Sequence, residues 1–211
     1  MGGTGKEGSG LALRWANSGY KVVIGSRNAQ RGADKADELN KLLGGEYISG
    51  TGNEDAAAQA HIVVLSVPYD AHKSTLESVK AHLSGKILVD VSVPIKPPAV
   101  TSVYIPEGHS AALEARDMLG DEVRVVAAFQ NVSAVHLKKL EHDVNCDVLV
   151  CGDDEEAKQN VIQLVEAAGM RGIDAGPLAN AVAAEALTPV LLYINKKYQV
   201  KGAGIRITGL A

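Results

Sequence analysis

Gly3-Thr4-Gly5-Lys6-Glu7-Gly8, with Ser26-Arg27 about twenty residues further on, is the stretch that decides the fold. It fits Gly-x-Gly-x-x-Gly. In a dinucleotide-binding turn, Gly3 gives the tight bend, Gly5 lets backbone approach a pyrophosphate, and Gly8 lets the following helix pack on a strand. Thr4, Lys6 and Glu7 complete the loop and open a helix whose free N–H groups face the phosphates. Alone, the match equally describes a glycine-rich turn, since the chain holds 22 glycines. Its context favours the dinucleotide: Leu11-Ala12-Leu13-Arg14-Trp15-Ala16 continues as helix, Ser18-Gly19 ends it, and Lys21-Val22-Val23-Ile24 reads as the next strand.

Further along, β-branched runs alternate with amphipathic stretches. Strands are predicted at Tyr20–Ile24, Glu46–Ser49, Ile62–Ser66, Lys86–Val91, Val123–Ala128, Asp147–Val150 and Gly172–Ala175. Helices are predicted at Asn28–Leu43, Asn53–Gln59, Ala71–Leu83, Ser110–Leu119, Asp153–Gly169 and Asn180–Tyr198. This alternation predicts an α/β protein with a doubly wound, parallel, Rossmann-type sheet and a small C-terminal helical extension. Residues 1–150 are expected to form the dinucleotide domain and 151–211 a smaller part. A doubly wound sheet places its first strand centrally, yet only Met1 and Gly2 precede the glycine turn. The first strand is therefore expected to be missing from this chain, either because apolar residues precede Met1 in the intact gene product or because another segment fills the slot.

The second strand's end selects the dinucleotide. An acid there would bond a ribose 2′-hydroxyl and repel a 2′-phosphate. Gly25-Ser26-Arg27, with Arg31 one turn on, offers a hydroxyl and two guanidinium groups instead, which predicts NADP. The competing reading is two solvated arginines at a helix start. Val67-Pro68 and Val93-Pro94 follow the next two predicted strands, at the carboxyl side where ligands bind in this architecture. Small apolar residues there suit a nicotinamide ring, and plain strand termination fits equally.

A net charge of −4 argues against a nucleic-acid surface. No apolar run reads as membrane-spanning, and no signal pattern opens the chain, so no membrane partner and a cytoplasmic location are expected. Cys146 and Cys151 have neither metal nor redox spacing, and the six histidines are scattered, so no metal is expected. Asp153-Asp154-Glu155-Glu156 reads as a helix cap rather than a cation site. Lys196, Lys197, Lys201 and Arg206 read as a solvated helix end, or else as a seat for an acidic ligand tail.

Gly2-Gly3-Thr4-Gly5, Gly25-Ser26-Arg27, Val67-Pro68, Val93-Pro94, Val150-Cys151-Gly152-Asp153-Asp154, Asp174-Ala175-Gly176-Pro177-Leu178 and Glu185-Ala186-Leu187-Thr188-Pro189 together resemble the NADP-dependent F420 oxidoreductase family. The likeness spans nearly the whole chain. It departs at Gln130-Asn131-Val132-Ser133-Ala134, where a His-Thr-Ile-Pro-Ala-like run is usual. The resemblance implies hydride transfer between NADP(H) and the deazaflavin coenzyme F420 as co-substrate, in a homodimer. It implies NADP contacts from Thr4 to Glu7 and from Ser26, Arg27, Arg31, Val67, Val93 and Ala134. It implies a deazaflavin side at Thr188 and Pro189, with Leu192 as apolar wall. Hydride transfer needs alignment and exclusion of water more than an acid or base, so no catalytic side chain is expected. Two other readings remain: an NADP-dependent reductase of another acceptor (flavin, ferric or imine), and a non-catalytic NADP-binding sensor.

Overall fold

The computed structural model describes residues 1–210. Helix α1 (Lys6–Asn17) leads to strand β1 (Val22–Ser26), helix α2 (Ala29–Leu43) and strand β2 (Ile48–Gly52). Helix α3 (Asn53–Gln59), β3 (Ile62–Leu65), α4 (Tyr69–Val79) and β4 (Ile87–Asp90) follow, then α5 (Ala111–Leu119) and β5 (Arg124–Ala127). The one-turn helix α6 (Ala134–Leu137), β6 (Asp147–Gly152), α7 (Glu155–Ala167), β7 (Arg171–Asp174) and α8 (Ala181–Tyr198) complete the order. Asn28 starts α2 by accepting from the Arg31 N–H at 3.2 Å, and Asp154 starts α7 by accepting from Ala157 N–H at 2.7 Å. These side chains satisfy helix donors that would otherwise have no partner. The acidic run is thus a cap.

Strands β1 and β2 form one parallel pair, and β3-β4-β5-β6-β7 form a five-stranded sheet. Among the described residues, no strand fills the slot between β1 and β3. Residues 1–3 bridge it at one end: Met1 N donates to Val64 O at 2.6 Å, Ser66 N to Met1 O at 3.1 Å, and Gly3 N to Gly25 O at 3.3 Å. Below that bridge, Val22, Ile62 and Val64 lean on the neighbouring core.

Period-two alternation sends successive side chains to opposite faces. Ile87 and Val89 meet Leu11 and Trp15 of α1 and Val161 and Val165 of α7 on one face. Leu88 meets Leu76 and Val79 of α4 and Ala112 and Ala115 of α5 on the other. Helices on both faces make the sheet doubly wound.

One expectation needs correction. β6 runs antiparallel to β5, not parallel. A parallel return requires a crossover of a dozen or more residues, usually helical. Between β5 and β6 only the four-residue α6 forms. This excursion is instead held by the buried Arg14 of α1. Its guanidinium donates to Leu137 O (2.9 Å), Ala168 O (2.9 Å), His136 O (3.3 Å), Lys139 O (2.9 Å) and His142 O (2.9 Å). The chain end is fastened to β6 too. Fully buried Asp147 accepts from Arg171 Nε (2.9 Å) and Nη2 (2.6 Å) and from Ile207 N (2.7 Å). Arg206 bonds Asn145 beside this latch and pairs with Asp147 at 3.6 Å.

A second correction concerns apolar length. Leu178–Tyr198 is 21 residues of mean hydropathy 1.3, long and apolar enough to cross a membrane by those two measures. Here its Leu178, Ala181 and Ala184 pack into the core under β5 and β6, and it carries the buried acid Glu185.

Candidate active site

The glycine turn is shaped by contacts that exclude side chains. Gly2 sits at φ +68, and a Cβ there would lie 2.4 Å from Ser66 O. A Cβ on Gly8 would lie 2.4 Å from Ser66 Oγ and 2.9 Å from the Gly3 Cα. The turn is thereby pressed against the end of β3. The first-turn N–H groups of Lys6, Glu7 and Gly8 have no carbonyl within the helix to bond, and none outside it is paired with them. Thr4 is half-buried, and Gly5 and Lys6 are exposed. Free donors on an open turn fit a pyrophosphate. Glu7 is the discordant member. Its Oε1 is enclosed without a partner, and burial pushes its pKa up to about 8. A carboxyl held neutral does not repel a phosphate and can donate to one.

Ser26 ends β1, buried, and its Oγ accepts from Asn28 N at 3.3 Å. Arg27 and Arg31 are exposed at the start of α2 and make no ion pair or hydrogen bond through their side chains among the described residues. Both cations are therefore available to a ligand at this end of the crevice.

At the other end the strand termini are tied together. Asp90, fully buried at the end of β4, lies 2.6 Å from His72 Nε2 and accepts from Ser92 N at 2.9 Å. Burial works to lower the His72 pKa, but the bond to Asp90 and the negative charges of Asp90 and Glu114 together outweigh it and hold the imidazole above its ordinary value. Gln130 Nε2 donates to Asp90 O at 2.8 Å, and Thr188 Oγ1 donates to Gln130 O at 2.6 Å. The departed Gln130 run is thus stitched to β4 and α8. Phe129, buried, takes φ 74, a conformation uncommon for a bulky residue. Gln130 Oε1 and Ser92 Oγ remain buried without partners.

Val67 and Val93 are half-buried at their strand ends, Pro68 is exposed, and Pro94 is buried. Pro94 and Pro189 meet across a shallow cleft, lined also by Tyr104, Ile105, His109, Val182, Glu185 and Ala186. Thr188 neighbours that cleft with its hydroxyl proton engaged by Gln130. Leu192, half-buried further along α8, and Ala134, which opens α6, do not line it.

Glu185, quoted only within the family-like run Glu185–Pro189, and His109, one of the six scattered histidines, were not expected to be site residues. Glu185 is buried, and its carboxylate accepts from Ala111 N (2.8 Å) and Ala112 N (3.1 Å), 74 and 73 residues away. Burial pushes its pKa up to about 8 against those two bonds. A lone acid in the otherwise apolar run Ala181–Leu187 was the available signal.

The family profile described as NADP oxidoreductase coenzyme F420-dependent matches residues 1–94. The F420-dependent NADP reductase of Methanocaldococcus jannaschii is 45% identical, covering 100% of this chain and 97% of the relative. That of Methanothermobacter thermautotrophicus is 41% identical, covering 100% and 94%. A crystal structure from Arthrobacter sp. FB24 shares the fold, with a TM-score of 0.81 at 24% identity over 98% of this chain and 96% of that one. Identity at that level over the full length places the chain in the F420-dependent NADP reductase family.

Proposed function

We propose that this chain transfers a hydride between NADP(H) and the deazaflavin coenzyme F420, with the two ligands meeting above the ends of β3, β4 and β5. The observation that carries the reading is the pairing of two unlike ends in one crevice. Free N–H groups and unpaired arginines lie at one end, and an apolar, proline-lined cleft lies at the other. NADP binds with its pyrophosphate on Gly3, Gly5 and Gly8 and its 2′-phosphate on Ser26, Arg27 and Arg31. Its nicotinamide lies toward Val67, Pro68, Val93, Pro94 and Ala134. The deazaflavin lies against Pro189 and the Thr188 backbone, so residues 151–211 supply its side of the crevice. The protein's task is to hold both rings face to face and to keep water out. The Asp90–Gln130–Thr188 ties fix the distance between the two walls.

The chain works as a cytoplasmic homodimer, with Val190, Tyr193 and Tyr198, exposed on α8, facing the second copy. Light scattering at working concentration reports a mass near twice 22.0 kDa, and a monomer overturns the dimer. For the activity, purified protein is mixed with NADPH and oxidised coenzyme F420, and the deazaflavin absorbance is followed through many turnovers. Its loss, with slower or no turnover of free flavin, ferric citrate and a cyclic imine, supports the reading. NADPH binding without bleaching of the deazaflavin band would leave the sensor reading in its place.

A further inference from the structure

One imidazole lies on the rim of the cleft, and its backbone is held in an unusual conformation. His109 lies at φ 70. A non-glycine residue with positive φ is uncommon, and such strain persists only where surrounding contacts enforce it. The enforcing contacts are on the next three residues. Ser110, fully buried, caps α5 by accepting from Leu113 N at 3.1 Å. Ala111 and Ala112 donate to Glu185 of α8. Gly108, on the other side, packs so closely on Glu114 that a Cβ would lie 2.3 Å from its side chain. Glu114 is itself held by the Tyr69 hydroxyl at 2.8 Å and 3.0 Å. The segment is pinned from α8, α5 and α4 together. The result is an exposed imidazole on the rim of the cleft formed by Pro94 and Pro189.

We propose that His109 is a catalytic residue of the hydride transfer: its ring N–H supplies the proton that the deazaflavin takes up when it is reduced. The inference rests on the deazaflavin reading above. Reduction of the ring is not complete with the hydride alone. The C4–H bond of NADPH breaks, and its hydrogen and electron pair form a C–H bond at C5 of the deazaflavin. The displaced ring electrons collect on N1 and its adjoining carbonyl. An imidazolium N–H bond then breaks toward N1, leaving neutral dihydrodeazaflavin, NADP⁺ and neutral imidazole, which recovers its proton from solvent. A donor aimed at charge that develops during the reaction favours the transition state over the ground state. Solvent exposure of His109 suits the recovery step. In the reverse direction the neutral imidazole takes the N1 proton. Glu185 holds the turn that presents His109. Around the imidazole, the other titratable or charged groups are Tyr104 and Glu185 in the cleft, Glu107 beside it in sequence, and Glu114 with Tyr69 behind Gly108. Lys96 sits over the Tyr104 ring at 4.3 Å.

The test is His109→Gln, which keeps size and a hydrogen-bond donor but not an exchangeable charge. Expected is a roughly hundredfold fall in kcat for deazaflavin reduction, within the range for loss of a general acid, with NADPH affinity unchanged. The wild-type rate of reduction falls as pH rises and the reverse rate climbs, and the difference between wild type and variant isolates the histidine from titration of the coenzyme itself. Without NADPH, the His109 imidazole NMR signals, identified by their loss in the variant, shift when oxidised F420 is added. Wild-type kcat and an unaltered pH profile in His109→Gln would overturn the proposal, as would imidazole signals that ignore the coenzyme. Failure of the wild type to reduce F420 at all would instead remove the functional reading beneath it.

Discussion

Arg27→Ala tests the contact proposed to select NADP over NAD. In the free protein the Arg27 side chain is exposed and has no bonded partner among the described residues, so its removal costs the fold nothing and the whole effect falls on the ligand. A charge-assisted hydrogen bond is worth about 1.5–3 kcal/mol, and about 1.4 kcal/mol is a factor of ten. One such bond to the 2′-phosphate therefore corresponds to a loss of roughly tenfold to a hundredfold in NADPH affinity. NADH, which has only a 2′-hydroxyl there, loses almost nothing. Because the site is open to solvent, added salt screens the attraction, and the gap between wild type and variant narrows as ionic strength rises. The assay is a fluorescence titration of both nucleotides at low and high salt. Equal weakening of NADPH and NADH would refute the 2′-phosphate role, because a contact to the shared pyrophosphate or a folding defect lowers both. Arg31→Ala acts in the same direction, and the double variant distinguishes two phosphate contacts from one.

Two further perturbations test the scaffold and the glycine turn. Arg14→Met strands carbonyls from four parts of the 136–142 excursion and the end of α7, a loss of about 3–5 kcal/mol of stability. Thermal unfolding then drops by roughly 10 °C, and Arg14→Lys does not restore it, because an ammonium cannot span the same set of acceptors; an unchanged midpoint in Arg14→Met would show that the clamp is dispensable. Glu7→Gln addresses pH. The Glu7 pKa rises from its ordinary 4.5 to about 8 on folding. Below 4.5 the carboxyl is neutral in both states, and between 4.5 and about 8 the unfolded chain ionises first, so stability falls as pH rises through that window. The variant should lose part of this slope; Glu185, shifted in the same sense, retains the rest. NADPH binding should weaken above about pH 8 in the wild type and stay flatter in Glu7→Gln, whereas parallel curves for the two proteins would exclude Glu7 from the phosphate site.

What could be read in the sequence was local. Ile62–Leu65 and Ile87–Asp90 are short apolar runs between polar stretches, and the strands fall on them to within a residue or two. Asn28 and Asp154 announce their helices because a cap acts over three residues. The antiparallel return of β6 was not legible for the opposite reason. Nothing in residues 128–146 encodes a reversal; it depends on a guanidinium more than a hundred residues earlier. The glycine turn ahead of α1 was legible, but the buried, unpartnered Glu7 carboxyl was not, because it depends on packing around the turn rather than on the turn's own residues.

Glu185 shows how such a long-range contact can still leave a trace. An acid inside an apolar helix run must either face water or find donors, since burying an unpaired carboxylate costs several kcal/mol. Backbone donors in a protein interior are already committed to helices and strands, apart from the first-turn N–H groups of a helix. A buried acid on α8 therefore predicts a helix start packed against it. The candidates on the same side of the sheet are α4, whose N-cap position is Pro68, and α5, which follows Ser110. Ser110 already satisfies the Leu113 N–H, leaving those of Ala111 and Ala112 without acceptors until Glu185 arrives. The same accounting fixes His109. Once Ala111 and Ala112 are held by α8 and Gly108 by Glu114, the residue between must absorb the change of chain direction, and it does so at φ 70 on the rim of the cleft.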